Sequence, residues 1–221
     1  MACVPAAPIL HLILPLLFWV FFAEASALSS YRTLRYTHVV GQTDWYTCGA
    51  AAVATLLTHY YDDPATEGEV LKVAVRETEA SGKDPREGLT ALSLKRYLEG
   101  RGYEVRAYRV NLEQLADYFR WGGLPVIGHV TKPQLHFLVI AGLVDPPGGG
   151  PAQVLLADSS WGRRIVPIEA LVTEKGFSGV ILLALPRSAA QMGRVRANQE
   201  AELSWALSRL RRLEALGGRW P

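Results

Sequence analysis

Residues 41–61 of this chain have the sequence GQTDWYTCGAAAVATLLTHYY, and the fold is expected to be built around them. After Cys48 the sequence is apolar and rich in alanine, with no proline before Pro64, which predicts a buried helix of about four turns. Asp44 and Thr47 are residue types that favour a helix start. A thiol at this position lies against unpaired backbone N–H groups and the positive end of the helix dipole, which favour the thiolate. On these residues alone, the interpretation of Cys48 as a small buried side chain without a chemical role is favoured.

The composition is that of a globular protein. The chain has 221 residues, of which 49% are hydrophobic and 20% are charged, so it can bury a substantial core in a single domain. The net charge is only +2, which gives no reason to expect nucleic acid as a partner. Partners must therefore be inferred from local features.

The first thirty residues differ from the rest of the chain. Residues 7–23 contain no charged side chain, and Ala25-Ser26-Ala27 has the small-x-small pattern of a signal-peptidase site. We therefore expect residues 1–27 to be a signal peptide, Leu28 to be the new N-terminus and the protein to be exported, to the periplasm of a bacterium. A retained membrane anchor at residues 7–23 is the alternative, although this segment is short for a bilayer span.

Removal of the leader would leave Cys48 as the only cysteine, because Cys3 lies within residues 1–27. An exported protein usually pairs its cysteines, so an unpaired one indicates either a reactive thiol or a buried residue without a chemical role. A single cysteine also excludes a cysteine-based zinc or iron-sulfur site. We expect no metal and no cofactor.

The remaining sequence changes from helical to alternating periodicity. Helices are predicted at 65–79 and 88–100, followed by a strand at 103–110 and a helix capped by Asn111. Further strands are predicted at 124–130, 135–144, 153–158, 163–168 and 179–185, with a short helix at 169–175. A short strand is also expected within residues 28–41. Helices followed by hairpin-linked strands predict an α+β fold with an antiparallel sheet.

The C-terminal segment, residues 187–221, is basic. It has seven arginines and three glutamates, a local charge of +4. Four leucines fall on one helical face: Leu203, Leu207, Leu210 and Leu213. We therefore divide the mature chain into a domain at 28–186 and a basic amphipathic helix at 187–221. This helix either docks on the domain or contacts an anionic membrane or secretion machinery.

The chain also contains the residue types that a cysteine nucleophile needs. Such a nucleophile requires a base, a group that orients the base, and donors for the oxyanion. His136 opens an apolar strand, and Asp158 closes the next strand, so a hairpin would place them together. Gln42 lies six residues before Cys48, within reach of an oxyanion there. Each residue alone has an ordinary structural explanation, but the combination favours catalysis.

Other residues compete for two of these roles. His129 and His59 are alternative bases, one within a predicted strand and the other on the Cys48 helix. Asp145 is an alternative orienting carboxylate, although its two proline neighbours are typical of a turn.

The combined pattern resembles the peptidase C39 family of papain-like cysteine proteases. The resemblance covers roughly residues 36–185 and is carried by the following features: Gln42 six residues before Cys48, the CGAA sequence at 48–51 opening a helix, HFLVIAG at 136–142, and the strand that ends in Asp158. It implies a papain-like fold in which N-terminal helices pack on an antiparallel sheet. It also implies that Cys48 is the nucleophile, His136 the general base and acid, Asp158 the orienting group and Gln42 an oxyanion donor.

The sequence departs from the family pattern at two positions. Thr47 stands where Asp usually precedes the cysteine, and Ser159 follows Asp158 where Pro is usual. Neither change removes a catalytic atom, but both bear on substrate preference. Trp45, Tyr46 and Thr47 flank the thiol, and we expect them to bind substrate.

The resemblance leads to an expected function. Well-known members of the family are domains of bacteriocin exporters that cut leader peptides after a double glycine. This chain has no G-x-x-x-x-G-K-[ST] motif and no room for a transporter, so it resembles the stand-alone exported proteases of secretion systems, including functional-amyloid operons. We expect an exported cysteine endopeptidase whose substrate carries a double-glycine site or is an amyloid-like secreted protein. The alternatives are a binding or chaperone module that does not cut, and an acyl transferase that uses the same triad.

Overall fold

The computed structural model describes residues 30–217. The predicted leader at 1–27, its cleavage site and its alternative role as an anchor lie outside the described residues. The chain divides into two compact units between Leu34 and Arg35, and a short helix, α1 (Tyr31–Arg35), lies at this boundary. The account that follows concerns the unit that begins at Arg35. None of the helices within residues 30–217 is long and apolar enough to cross a membrane.

The helices of this unit follow the predicted order. They are α2 (Cys48–Thr55), continued by a π-helix (Leu56–Tyr60), α3 (Glu67–Ala80), a 3-10 turn (Pro85–Glu87), α4 (Ala91–Gly100), α5 (Leu112–Arg120), α6 (Ala170–Thr173) and α7 (Ala189–Ala215). Asn111 accepts a hydrogen bond from the Gln114 backbone N–H, and Gln114 accepts one in return from the Asn111 backbone N–H, so the predicted cap of α5 is confirmed.

Six strands form one sheet. They are β1 (Glu104–Arg109), β2 (Val126–Val130), β3 (His136–Val144), β4 (Gln153–Asp158), β5 (Gly162–Pro167) and β6 (Phe177–Leu185). Their order in the sheet is β1-β6-β2-β3-β4-β5, and every neighbouring pair is antiparallel. The predicted helices and strands between residues 65 and 185 are all present, with ends that differ by about three residues or less, and the helix predicted at 187–221 is observed at Ala189–Ala215. The α+β architecture with an antiparallel sheet is confirmed.

Both faces of the central strands are covered. Side chains alternate along β3, so Val139 and Ala141 join the core beneath α2, α3, α4 and α7, whereas Leu138 and Ile140 join the core beneath α5 and α6. All six residues of β4 are buried. Strands that are buried on both faces are continuously apolar, which explains the unbroken hydrophobic sequences of β3 and β4.

The strand expected within residues 28–41 is wrong. His38 has a φ of 57°, which interrupts any extended conformation. The backbone N–H of Val40 donates to the Thr55 hydroxyl at 3.0 Å, and that of Gln42 donates to the Ser159 carbonyl at 3.1 Å. These donors are satisfied by a side chain and a turn instead of a ladder, so the alternating sequence does not need a strand partner.

The basic C-terminal helix α7 packs against the core largely through the predicted face, since Leu203 and Leu207 contact the core and only Leu213 departs from the prediction. Leu210 is fully buried, whereas Leu213 is 41% exposed. The contact surface is partly polar, because the Gln199 amide donates at 2.8 Å to the carbonyls of Gly123 and Ala141. The spacing of the leucines alone does not indicate that glutamines are also buried in this contact.

The same helix holds the end of the π-helix. Asn198 donates to the Tyr60 carbonyl at 3.0 Å, and Gln191 donates to the Tyr61 carbonyl at 3.1 Å. Carbonyls at a helix end lack intrahelical donors, so these two side chains stabilise the irregular last turn. The helix that carries Cys48 is therefore held at its far end by α7.

The orientation of α7 predicts unequal effects for two leucines of the predicted face. Leu210→Ala should lower the free energy of unfolding by about 2–4 kcal/mol, because it leaves a cavity in the core. The matched control Leu213→Ala should change it by less than about 0.5 kcal/mol, because that side chain is largely solvated. Urea denaturation of both variants measures the difference, and equal effects would contradict this packing.

Candidate active site

Cys48 is the first residue of α2, and it is buried at the point where this helix meets the sheet. The helix start is tightly packed: a Cβ added at Gly49 would lie 3.0 Å from Leu94 and 3.3 Å from Phe137. Thr47 occupies the N-cap position but does not cap the helix with its side chain. Its hydroxyl instead donates to the Asp44 carbonyl at 2.9 Å, which closes a turn immediately before the thiol.

His136 and Asp158 come together as the sequence predicts. The β3–β4 pairing, which matches Val139 with Ala157, places the start of β3 and the end of β4 at the same edge of the sheet. Nε2 of His136 lies 2.9 Å from Oδ1 of Asp158. The Cys48 thiol interacts with the same imidazole and helps to raise its pKa, and Nδ1 is the ring nitrogen left to face the sulfur. The imidazole therefore interacts with both the thiol and the carboxylate.

The electrostatics of this series favour a charged imidazole. Burial opposes the protonation of His136 and is the largest influence, but the hydrogen bonds and charges of Asp158 and Cys48 outweigh it and raise the pKa of His136 to about 9. Burial likewise opposes ionisation of Asp158, yet the pKa of that carboxyl is lowered by His136, by the Ser160 N–H and by the charge of Lys175. At neutral pH both groups carry charge.

Gln42 is fixed in a defined orientation. Its Oε1 accepts hydrogen bonds from the hydroxyls of Ser159 at 2.9 Å and Ser160 at 2.7 Å. Its Nε2 donates to the Asp44 carbonyl at 2.8 Å, which leaves a second N–H proton on the amide. The two serines follow Asp158 directly, so the turn that carries the carboxylate also orients Gln42. Sequence reasoning recorded Ser159 only as a departure from the family pattern and missed this role.

The three predicted substrate-binding residues have different environments. Trp45 is 55% exposed and packs edge-on against half-buried Tyr46, with 5.8 Å between the ring centroids. Thr47 is buried, and its hydroxyl is engaged by Asp44. Trp45 and Tyr46 therefore present accessible surface, whereas Thr47 holds the turn, and none of the three lines the cleft that reaches Cys48.

A cleft of about 680 Å³ reaches Cys48. Its other walls are His129, Leu135, Phe137 and Val180 from the sheet, and a loop that we call the cleft loop (residues 82–91, contributing Gly82, Lys83, Asp84, Glu87, Gly88, Leu89, Thr90 and Ala91). Sequence analysis indicated only that most of the cleft loop lies between the helices predicted at 65–79 and 88–100. Its position beside the thiol follows from the packing of α3 and α4, which no local pattern indicates.

The alternative residues for the base and the orienting group have other partners or lie at a distance from Cys48 and His136. His129 lines the cleft, but its Nδ1 pairs with the Ser178 hydroxyl at 2.9 Å, and burial together with the charge of His136 lowers its pKa. His59 stacks near His38, with 5.5 Å between the rings. Asp145 follows the far end of β3, roughly 30 Å along the strand from His136, so it cannot orient that ring. Residues 30–217 contain no cluster of acidic, histidine or cysteine side chains that could hold a metal ion.

Comparison with known proteins gives a consistent result. Residues 36–189 match the model of the peptidase C39 family. Two proteins named probable functional amyloid protease FapD are similar: that of Pseudomonas aeruginosa is 34% identical over 92 residues, and that of Pseudomonas fluorescens is 32% identical over 114 residues. These matches cover 40% and 51% of this chain and 38% and 48% of the relatives, so they span about half of the relatives' length or less.

Two solved structures share the fold. The peptidase domain of Streptococcus ComA, a bi-functional ABC transporter involved in quorum sensing, has a TM-score of 0.54 at 22% identity and covers 67% of this chain and 98% of that domain. A double glycine motif protease from an AMS/PCAT transporter, solved in complex with the leader peptide, has a TM-score of 0.53 at 26% identity. This match covers 67% of this chain and 90% of that protease. The predicted papain-like α+β fold is confirmed.

The raised pKa of His136 predicts how stability depends on pH. A group with a raised folded-state pKa stabilises the fold fully below its unfolded pKa, near 6.5, and loses this contribution as the pH rises through about 9. The free energy of unfolding should therefore fall between these pH values by on the order of 2 kcal/mol more in the wild type than in His136→Gln. Urea denaturation across this range measures it.

A second histidine provides the control. His59 is also partly buried, but burial and the nearby His38 lower its pKa, so His59→Gln should leave the alkaline fall in place. Parallel pH profiles for the wild type and His136→Gln would show that the His136 interactions do not persist in solution.

Proposed function

This chain belongs to the peptidase C39 family, and on that premise we propose that it is an exported cysteine endopeptidase that uses Cys48, His136 and Asp158 as a catalytic triad. The observation that carries the proposal is that the His136 ring interacts with both the Cys48 thiol and Asp158, at a cleft that is lined by Cys48. Nucleophile, base and orienting group in hydrogen-bonding contact are the geometry that thiol proteolysis requires.

Each residue has a distinct role in the proposed reaction. His136 takes the thiol proton, and the resulting imidazolium stabilises the thiolate of Cys48. The thiolate attacks the substrate carbonyl, and the imidazolium then gives its proton to the departing amine, which leaves a thioester. Neutral His136 removes a proton from water, the hydroxide attacks the thioester, and the thiol is restored as the carboxylic acid leaves. Asp158 keeps Nε2 protonated so that Nδ1 faces the sulfur.

The oxyanion requires hydrogen-bond donors near the sulfur. The Cys48 backbone N–H lies in the first turn of α2, where N–H groups lack intrahelical acceptors. The second proton of the Gln42 amide is the other donor that we propose. Ser159 and Ser160 hold the amide oxygen, so the nitrogen is directed away from them and toward the turn before Cys48. Preorganised donors of this kind lower the barrier because they need no reorientation during the reaction.

The substrate that we propose is an extended segment of a secreted protein. The cleft, with a volume of about 680 Å³ between the cleft loop and the sheet, has room for a segment of polypeptide beside Cys48. One relative is named a functional amyloid protease, and one solved relative was determined with a leader peptide. We therefore propose a component of an amyloid secretion system, or a precursor with a double-glycine site, as the substrate.

The proposed location is the bacterial periplasm. The support for it is the uncharged segment at residues 7–23 and the small-x-small site at 25–27. Contact with a membrane or with secretion machinery through α7 also stays a prediction. Its exposed outer face presents Arg209, Arg211 and Arg212.

Loss of either reacting side chain should abolish cleavage. When the wild-type chain is incubated with a library of proteome-derived peptides, mass spectrometry should detect new termini, and Cys48→Ala and His136→Ala should each reduce their formation by at least about 10³-fold. His59→Gln is the control, because it replaces a partly buried histidine outside the triad, and this variant should retain activity. Cleavage by Cys48→Ala would refute the triad.

The same experiment separates the alternative functions. A binding or chaperone module would retain peptides in both the wild type and Cys48→Ala without producing new termini. An acyl transferase would produce amine-capped or crosslinked peptides when an amine is added. Either result would replace the endopeptidase proposal.

The proposed export predicts the N-terminal residue of the mature protein. When the full chain is expressed in a bacterium, N-terminal sequencing of the periplasmic protein should begin at Leu28. Ala27→Arg should block this processing, because signal peptidase requires a small residue at that position. Retention of the wild-type chain in the membrane with residues 1–27 intact would favour the anchor.

A further inference from the structure

One oxygen of the triad carboxylate lacks a hydrogen bond. Oδ1 of Asp158 accepts hydrogen bonds from Nε2 of His136 and from the backbone N–H of Ser160, both at 2.9 Å. Oδ2 is buried and has no hydrogen-bond partner among residues 30–217. An unpaired oxygen of a buried carboxylate is costly, so the protein must compensate for its charge in another way.

Lys175 supplies the compensating charge. Its Nζ lies 3.9 Å from Oδ2 of Asp158, too far for a hydrogen bond but close enough for a strong charge interaction. The lysine side chain is itself only 12% exposed, and lysine is rarely buried without a partner. Burial and the charge of Arg164 lower the pKa of Lys175, whereas Asp158 and Glu174 act against that shift. Asp158 is the larger of the two interactions that favour the charged ammonium.

The backbone of Lys175 is held on both sides. Its N–H donates to the Ala170 carbonyl at 3.0 Å, and its carbonyl accepts from the N–H groups of Thr131 and Lys132 at 3.1 and 2.9 Å. The next residue, Gly176, has a φ of 63°, and a Cβ there would lie 2.5 Å from the Thr131 hydroxyl. The turn between α6 and β6 is thus fixed against the end of β2. This turn places the Lys175 ammonium beside Oδ2 of Asp158.

We propose that Lys175 is a positioning residue of the triad, whose buried positive charge holds Asp158 as an oriented anion behind His136. This inference rests on the proposed function, because it assigns a role within the same site. The carboxylate is then held from two sides: Oδ1 by the imidazole and the Ser160 N–H, and Oδ2 by the ammonium. Lys175 touches neither the thiol nor the cleft, so it acts only through Asp158.

This role has a consequence for the pH dependence of the thiol. The charged groups around the triad are Asp158 and Lys175 behind His136, Cys48 in front of it, and His129 beside it, with Arg164 and Glu174 around the lysine. Removal of the Lys175 charge removes a cation that favours both anions, Asp158 and the thiolate. The Cys48–His136 pair should then form only at higher pH.

Alkylation of Cys48 tests this without a known substrate. The rate of reaction with iodoacetamide is measured from pH 4 to 10 by mass spectrometry of the peptide that contains Cys48. For Lys175→Met, which keeps the chain length but removes the charge, the acid-side midpoint should rise by at least about 0.5 pH units. Lys175→Arg keeps the charge and should keep the wild-type midpoint. Lys132→Met removes an exposed lysine from the neighbouring loop and should also have no effect.

The outcomes distinguish the two proposals. A wild-type thiol that gains reactivity only near the pH of a free thiol would overturn the ion pair and with it the proposed function. A wild type that is reactive at low pH, with Lys175→Met at the same midpoint, would overturn the role of Lys175 alone. A shift in Lys175→Arg equal to that in Lys175→Met would also overturn it, because the charge would not be the cause. Circular dichroism confirms that each variant is folded, and Lys175→Gln replaces the methionine variant if that one is not.

Discussion

The close approach of α2 to strands β3 and β4 is the constraint on which the rest of this structure depends. Every residue of α2 is buried, and most are alanine or glycine, so the helix backbone comes nearer to the sheet than longer side chains would permit. Gly49 has no room for a Cβ without displacing Leu94 and Phe137. This packing places the first residue of the helix, Cys48, at the edge of the sheet where β3 begins and β4 ends.

Burial makes the charged groups of this edge interdependent. Desolvation is the largest influence on His136, Asp158 and Lys175, and in each case it opposes the charged form. The charges persist because each of these groups lies beside an opposite charge: His136 beside Asp158, and Asp158 beside Lys175. A change at one end of such a series alters the charge balance at the other, since buried ion pairs depend on their partners. The site therefore acts as one electrostatic unit although its members come from four separate segments.

Polar contacts of α7 and of the Asp158–Gly162 turn hold the elements around Cys48, His136 and Asp158 in place. Gln191, Asn198 and Gln199 donate to backbone carbonyls of the π-helix, of β3 and of the turn before β2. Ser159 and Ser160 bind Gln42. Side chains that satisfy buried carbonyls fix the relative positions of elements that apolar packing alone would leave free to slide. The C-terminal helix is thus part of the scaffold that holds the Cys48 helix.

The sequence by itself determined the order of helices and strands, the C39 resemblance, and the association of His136 with Asp158, because periodicity and hairpin connectivity are local properties. It also identified Cys48 as the residue at the helix start. The tertiary structure decided that Leu213 of α7 stays exposed while Gln199 is buried, that residues 36–47 form no strand, that the cleft loop lies beside Cys48, and that Lys175 lies next to Asp158. Each of these depends on contacts between segments far apart in the chain, where neither spacing nor propensity carries information. Lys175 is the clearest case, because in the sequence it is one of several charged residues near a turn. What distinguishes it is that its side chain is largely buried and that its Nζ lies 3.9 Å from the unpaired Oδ2 of Asp158.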